Sequence, residues 1–218
     1  MIRAAAWVTA ATLAWAVQAV AAPAPLIDNE RVTVWDIPLK VGEAATATPA
    51  DLDSVIIFLD GGRFRVTDAT GRPIATRGAP GDAVFVPRGV KSVAALVSGG
   101  PAHAVLIALK DFKAPPYANP GTLPLAFPRP GSVKVLETPR VVVWNYSWKL
   151  NEDTRPHFHD KDVVLAYRED GAIDSITLDG QHIVTPHTPG EIRFNPGNRS
   201  HFERLVSGRQ SSITMELK

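Results

Sequence analysis

The chain has 218 residues, of which 45% are hydrophobic and 21% are charged, so it is long enough to bury one large core or two smaller ones. Its formal net charge is +1, and no run of basic residues stands out. Because phosphate binding needs a clustered basic surface, we exclude nucleic acid as the main partner. The sequence contains no cysteine, which also excludes a disulfide framework.

The first 21 residues have the features of a secretory signal peptide. Arg3 supplies a positive start, residues 4–17 carry no charge, and Ala19-Val20-Ala21 forms a small-x-small cleavage pattern. An uncleaved membrane anchor is the alternative, but the apolar run is short for a full membrane span. We therefore predict cleavage after Ala21 and export to a bacterial periplasm or full secretion. The mature chain is not expected to associate with the membrane.

A shift of 109 residues aligns the two halves of the chain without a gap. The segment Arg31-Val32-Thr33-Val34-Trp35-Asp36 aligns with Arg140-Val141-Val142-Val143-Trp144-Asn145, and Pro80-Gly81 aligns with Pro189-Gly190. Glycine and proline fix the geometry of turns, so sharing them predicts the same backbone path in both halves. A repeat of this length indicates two homologous domains rather than a solenoid.

Each half is predicted to consist of short β-strands. In the first half the strands fall at 31–37, 54–59, 64–67, 83–86 and 104–109, and in the second half at 140–148, 163–167, 175–178, 191–194 and 212–217. The continuous apolar runs at 54–59 and 163–167 are typical of strands that are buried on both faces. No segment beyond the signal peptide shows a sustained helical period. The predicted fold class is therefore all-β, with closed or sandwich-like packing.

A proline-rich segment lies between the halves. It contains Pro115, Pro116, Pro120, Pro124, Pro128 and Pro130, and proline disfavours helices and central strands. We predict an extended connector that packs along the domains through apolar residues such as Tyr117 and Phe127. The expected organisation is a signal peptide at 1–21, an N-terminal domain at 22–110, a linker at 111–139 and a C-terminal domain at 140–218.

Two motifs in the second half resemble those of the cupin family. The first is His157-Phe158-His159, followed later by Gly171, and the second runs from Gly190 through Pro196 to His201. In the first half, Gly81-Asp82-Ala83-Val84-Phe85-Val86-Pro87-Arg88-Gly89 is similar to the second motif. The resemblance covers both repeats and implies a double-stranded β-helix, or jelly-roll barrel, in each half, which makes the chain a bicupin.

The resemblance implies metal binding by His157, His159 and His201. Residues two apart on a strand point to the same face, so His157 and His159 can both enter a barrel, and His201 follows the next turn. Three neutral imidazoles suit Fe, Mn, Ni, Cu or Zn and leave positions open for water or substrate. We therefore expect one divalent transition metal in the second half.

The sequence departs from the cupin pattern at several positions. The glutamate ligand of the family falls at Val163 or Val164, and the distance to Gly171 favours Val164. The glycine of the second motif is displaced to Gly197, with Asn198 at the expected place, and Leu205 replaces the terminal asparagine. In the first half, the positions equivalent to the three histidines hold Thr48, Ala50 and Ser92, so no metal site is expected there.

The remaining chemistry-bearing residues receive structural interpretations. His182 and His187 are expected at the surface and His103 on a loop or strand edge. Trp35 and Trp144 are expected to pack in a core or between the domains. The orientation of Tyr167 is left open. Asp162 and its repeat partner Asp53 are expected to stabilise turns.

Three functions are compatible with these observations. The first is a metal-dependent enzyme of oxygenase type acting on a small organic molecule, with Glu203 and Glu216 as candidate acid or base groups by proximity in sequence. The second is a non-catalytic protein that binds or senses a small ligand or a metal, and the third is a structural protein whose histidines are idle. A fold alone does not choose among them. A monomer and a homo-oligomer are both compatible with the sequence.

Overall fold

The computed structural model describes residues 24–43, 48–112, 114–119 and 121–218, so the predicted signal peptide lies outside the described residues. Within this part of the chain, no helix has the length and apolar character needed to cross a membrane. The regular secondary structure of the described residues consists of β-strands, which confirms the all-β prediction. The strands are β1 Ile27–Asp28, β2 Val32–Leu39, β3 Asp53–Phe58, β4 Arg63–Asp68, β5 Pro73–Arg77, β6 Ala83–Val86, β7 Ser92–Ser98, β8 Ala102–Leu109, β9 Val133–Glu137, β10 Val141–Trp148, β11 His157–His159, β12 Val163–Tyr167, β13 Gly171–Thr177, β14 His182–His187, β15 Ile192–Asn195, β16 Arg199–Gly208 and β17 Gln210–Leu217.

Each half of the chain contains one five-stranded sheet and one smaller sheet. In the N-terminal half, up to residue 112, the strand orders are β1-β2-β8-β3-β6 and β5-β4-β7. In the C-terminal half, from residue 121, the orders are β15-β12-β17-β10-β9 and β11-β16-β13-β14. The two sheets of each half enclose a hydrophobic core, so each half is a flattened barrel.

The strands recur along the chain with the spacing of the sequence repeat. Val32 and Val141 begin β2 and β10, and Ala83 and Ile192 begin β6 and β15, so each pair is 109 residues apart. The two halves thus place equivalent residues at equivalent positions in the fold.

A third hydrophobic core lies between the two five-stranded sheets and joins the halves. It includes Val34 and Val55 from the N-terminal half and Val164 and Met215 from the C-terminal half, all of them almost completely buried. Strands β3, β12 and β17 are therefore covered on both faces. This explains why β3 and β12 are largely continuous apolar runs rather than alternating ones, whereas β17 also buries polar residues such as Ser212 and Thr214.

Two reciprocal ion pairs connect the halves. The Nε atom of Arg31 lies 2.9 Å from Oδ2 of Asp162, and Nη1 of Arg140 lies 2.8 Å from Oδ2 of Asp53. Arg140 and Asp162 are the repeat equivalents of Arg31 and Asp53, so each half offers the same two residues to the other. The contact between the halves is therefore nearly two-fold symmetric, as in an isologous dimer. Asp53 and Asp162 stabilise turns and, in addition, hold the halves together.

The segment predicted as a linker contributes directly to the C-terminal half. Strand β9 is the edge strand of the five-stranded sheet, where it pairs with β10. Upstream of it, Ala126 and Phe127 are buried, and the backbone N–H of Ala126 donates to the carbonyl of Phe158 at 2.9 Å. Phe127 stacks on Trp144 with a centroid distance of 5.6 Å.

Candidate metal centre

The three histidines named from the sequence lie on two neighbouring strands. Strand β11 carries His157 and His159, and it pairs antiparallel with β16, with His157 opposite His201 and His159 opposite Arg199. Since alternate residues of a strand share one face, Arg199, His201 and Glu203 of β16 point to the same side as the two histidines of β11. The register of one strand pair therefore assembles the whole site.

The three imidazole rings converge through their Nε2 atoms. The Nε2 atom of His159 lies 3.2 Å from that of His157 and 3.0 Å from that of His201, and all three side chains are buried. One donor atom from each ring lies within 4.8 Å of the other two. Two nitrogens bound to one metal at about 2.1 Å and at right angles are about 3.0 Å apart. The observed separations match such an arrangement on one face of a metal.

Hydrogen bonds at Nδ1 orient two of the rings. Nδ1 of His157 lies 2.8 Å from the backbone carbonyl oxygen of Arg155. A carbonyl oxygen can only accept a hydrogen bond, so Nδ1 carries the proton and Nε2 has a free lone pair. Nδ1 of His201 lies 2.7 Å from the hydroxyl of Ser175. Nδ1 of His159 is buried without a hydrogen-bond partner among the described residues.

Burial keeps all three imidazoles neutral. It lowers the pKa of His157, lowers that of His159 well below its ordinary value and lowers that of His201 to about 4. A neutral imidazole is the form that binds a metal, so these rings are ready to act as ligands at neutral pH.

A buried carboxylate stands beside the histidines. Oε2 of Glu203 accepts hydrogen bonds from Nη1 of Arg129 at 2.7 Å and from Nε1 of Trp148 at 3.2 Å, while Oε1 lies 3.9 Å from Nε2 of His201. Burial alone would raise the pKa of Glu203, but the positive charge of Arg129 holds it well below its usual range. Glu203 is therefore ionised, and Oε1 faces the site.

A cavity of about 140 Å³ opens next to the histidines inside the C-terminal barrel. Trp148 and Tyr167 form part of its wall, together with polar side chains such as Thr185, Asn195 and Thr214. Tyr167 stacks almost parallel on His187, with a centroid distance of 3.8 Å. Burial raises the pKa of Tyr167, so its hydroxyl stays protonated. The site can thus receive a small molecule.

No family model and no curated protein matches this chain, but the search of solved structures finds proteins of similar fold. A cupin 2 conserved barrel domain protein from Leptotrichia buccalis aligns with a TM-score of 0.52 and 14% identity over 89% of this chain and 87% of that one. An IolB-like protein from Salmonella typhimurium aligns with a TM-score of 0.60 and 14% identity over 86% and 83%. Oxalate decarboxylase from Bacillus subtilis, a protein with Mn(II) centres, aligns with a TM-score of 0.60 and 12% identity over 86% and 69%. The chain has a cupin fold.

The departure from the cupin glycine is accommodated at the turn before β16. Asn198 adopts a positive φ of 58°, as its repeat equivalent Gly89 does with 88°, and asparagine tolerates this left-handed region. Gly197 cannot be replaced as easily, because a Cβ atom there would lie 2.5 Å from the ring of Tyr117. The shifted glycine therefore serves a close contact, while Asn198 makes the turn.

The structure reassigns the position equivalent to the cupin glutamate. The sequence favoured Val164, but Val164 packs in the core between the halves, whereas Val163 lines the cavity. The carboxylate of this site comes instead from Glu203, on another strand. The other acidic candidate, Glu216, accepts a hydrogen bond from Nε1 of Trp144 at 2.8 Å and does not line the cavity.

The expectation that His187 lies at the surface was wrong. His187 is buried, because the last residue of β14 turns inward and stacks on Tyr167, and its Nδ1 lies 3.2 Å from Oε2 of Glu191. His182 is exposed as expected, and His103 is exposed near the start of β8. Trp144 is buried in the core of the C-terminal barrel, and Trp35 packs against that of the N-terminal barrel.

The equivalent place in the N-terminal half is closed by hydroxyl groups. The side chains of Thr48 and Ser92 are buried and lie 3.1 Å apart, Oγ1 to Oγ, within hydrogen-bond distance. The backbone N–H of Thr48 also donates to the carbonyl of Ser92 at 3.0 Å. Two mutually bonded hydroxyls have no free, strong ligand atoms for a transition metal.

Proposed function

We propose that the C-terminal cupin barrel binds one divalent transition metal through His157, His159 and His201, and that the chain is a metal-dependent enzyme of oxygenase type acting on a small organic molecule. The proposal places the mature protein in the periplasm after loss of the signal peptide. The observation that carries it is the convergence of three neutral Nε2 atoms beside a cavity that His159 and His201 line. The Nε2 atom of His159 lies 3.2 Å from that of His157 and 3.0 Å from that of His201.

The donor set fits a metal of the Mn, Fe, Ni, Cu or Zn group. Imidazole nitrogens suit these ions, and a three-histidine set leaves coordination positions for water or substrate. A bound ion would supply Lewis acidity and, if it is redox-active, the capacity to activate dioxygen. The Mn(II) centres of the structurally similar oxalate decarboxylase support a metal in a barrel of this kind without fixing its identity here.

The chain's own residues fix the donor atoms in place. The carbonyl of Arg155 holds the ring of His157, and the hydroxyl of Ser175 holds the ring of His201. Arg129 and Trp148 together hold one oxygen of Glu203, so that the other faces His201. Such outer contacts orient ligands and strengthen metal binding, typically by about 10- to 100-fold.

The test is elemental analysis of the mature protein beside a His157→Ala/His159→Ala variant, with His182→Ala as the control. We expect close to one metal ion per chain in the wild type and in the control, and none in the double variant. Absence of metal from the wild type, even after reconstitution with each of the five ions, would refute the proposal.

The competing function is that of a non-catalytic protein that binds a metal or a small ligand. The position of Glu203 favours it, because its free oxygen lies near enough to the histidines to occupy a further coordination position on the metal. Water-proton relaxation of the Mn(II)-loaded protein separates the two functions. Rapidly exchanging water on the metal supports an enzyme with open positions. A relaxation rate equal to that of a fully coordinated Mn(II) complex would favour the binding protein.

A further inference from the structure

The cavity beside the three histidines is lined by more positive than negative side chains. Arg129, Arg193 and Arg199 all form part of its wall, whereas Glu203 is the one carboxylate among its described lining residues. A bound divalent metal would make the site more positive still.

Two of these three arginines are neutralised by carboxylates. Arg129 pairs with Glu203 at 2.7 Å, and Nε of Arg193 pairs with Oε1 of Glu191. Arg199 differs, because no carboxylate within the described part of the chain lies at ion-pair distance from it. Its Nε donates to the carbonyl of Pro196 at 2.8 Å, which leaves the two terminal nitrogens free to bind something else.

Arg199 is also in the right place to hold a ligand against the histidines. It lies directly opposite His159 in the β11–β16 pair and shares the inward face of β16 with His201. An unpaired charge in a partly buried position is costly, and the guanidinium fork matches a carboxylate in geometry. We propose that this cavity binds a small carboxylate anion, held by Arg199 beside the three histidines. This inference rests on the proposed metal site and names the substrate class for it.

The volume of the cavity limits the size of the ligand. At about 140 Å³ it is close to an engineered cavity of about 150 Å³ that binds benzene. Small mono- and dicarboxylates fit this space, and long-chain acids do not. Malonate is a suitable probe, and malonamide is its neutral counterpart of nearly the same shape.

The experiment is a calorimetric titration of the Mn(II)-loaded mature protein with malonate and with malonamide. Trp148 lines the cavity, so tryptophan fluorescence gives a second readout. We expect malonate to bind at least about tenfold more tightly than malonamide, because ionised hydrogen bonds are about twice as strong as neutral ones. Arg199→Gln should reduce malonate affinity at least about tenfold and Arg199→Lys should reduce it less. Arg204→Gln, on the same strand but paired with Asp153 outside the cavity, should have no effect.

Equal affinity for malonate and malonamide, or equal losses in the Arg199→Gln and Arg204→Gln variants, would overturn the inference. If Arg199→Gln does not fold, the Arg199→Lys variant decides it, and malonate affinity equal to that of the wild type overturns the inference. The wild-type preference alone does not decide it, because carboxylate oxygens also bind Mn(II) directly. Metal content is measured on the same samples, so a protein that binds no metal defeats the proposed function separately. In that event the titration is read on the metal-free protein, where Arg199 is still charged and malonate should still be preferred.

Discussion

Replacement of Arg31 by methionine tests how the two halves are held together. Arg31 and Asp162 are only 6% and 5% exposed in their side chains, and their ion pair spans the halves. Asp162 also accepts a hydrogen bond from the backbone N–H of Gly197 at 2.8 Å. Removal of one partner from a buried pair leaves a buried charge and costs about 3–5 kcal/mol. Methionine keeps the length and flexibility of the side chain but not its charge.

The repeat supplies a matched control in Arg140→Met. The pair Arg140–Asp53 has the same partners by repeat position, but its side chains are 30% and 18% exposed. Solvent screens a pair of this kind, and its loss should cost about 1 kcal/mol. For a chain of this size, 1 kcal/mol corresponds to about 2–4 °C in Tm, so Arg31→Met should lower Tm by about 6–20 °C and Arg140→Met by about 2–4 °C.

Urea unfolding of the two variants and of the wild type measures both free energies. An Arg31→Met variant that is no less stable than Arg140→Met would refute the assignment of different strengths to the two pairs. An Arg31→Met/Asp162→Asn double variant adds a second check. Its loss of stability should be smaller than the sum of the two single losses, because residues in one ion pair are coupled.

Three further predictions follow from the site and from the contact between the halves. Ser175→Ala should weaken metal binding about 10- to 100-fold, because it removes the contact at Nδ1 of His201. Ser200→Ala, on the opposite face of β16, should leave the affinity unchanged. Competition with a chelator measures both affinities, and equal values would contradict the role of Ser175. In the metal-free protein, burial lowers the pKa of His201 to about 4. The unfolded chain therefore binds a proton at this histidine near pH 6.5, whereas the folded chain binds it only near pH 4. The free energy of unfolding should then fall by up to about 3 kcal/mol as the pH drops from about 6.5 to about 4, and His201→Asn should flatten this dependence; an unchanged slope would contradict it. Gly81→Ala should lower the free energy of unfolding, measured in urea, by about 1–3 kcal/mol more than Gly71→Ala does. Both glycines have a positive φ, but only a Cβ at Gly81 would contact the other half of the chain. Equal losses of stability would show that this contact relaxes.

Much of the fold could be predicted because its signals are local. Short apolar runs, turn residues and the repeat of 109 residues predict ten strands that overlap strands of the structure, for example 83–86 for β6. Other strands, such as β7 and β16, were not predicted. The histidines could be named because the side-chain period of two places His157 and His159 on one face, and the resemblance to cupins added His201.

The choice between Val163 and Val164 could not be made from the same signals. Strand β12 is buried on both faces, so every residue in it is apolar and the alternation that marks an inward face is absent. Counting to Gly171 selected Val164, which faces the other half of the chain. Only the packing of the two five-stranded sheets distinguishes the faces.

Other site residues were missed because tertiary contacts place them there. Arg129 comes from the proline-rich segment, where no periodic pattern predicts that a charged side chain is buried. His187 ends a strand whose other residues are mostly exposed, and its burial depends on stacking against Tyr167, which is distant in sequence. Arg199 has no local signal either, because what distinguishes it is the absence of a carboxylate at ion-pair distance among the described residues, which only the fold shows.

The N-terminal half contributes to the candidate metal centre although its described residues form no equivalent site. Arg31 reaches across to Asp162, which in turn holds the backbone of Gly197 in the turn that leads into β16. That turn sets where β16 begins, and β16 carries Arg199, His201 and Glu203. The core between the halves covers the outer face of β12, while its inner face lines the cavity. The N-terminal barrel therefore acts as a support that fixes the strand positions of the site, and we expect a C-terminal half expressed alone to expose an apolar sheet and to lose the alignment of its histidines.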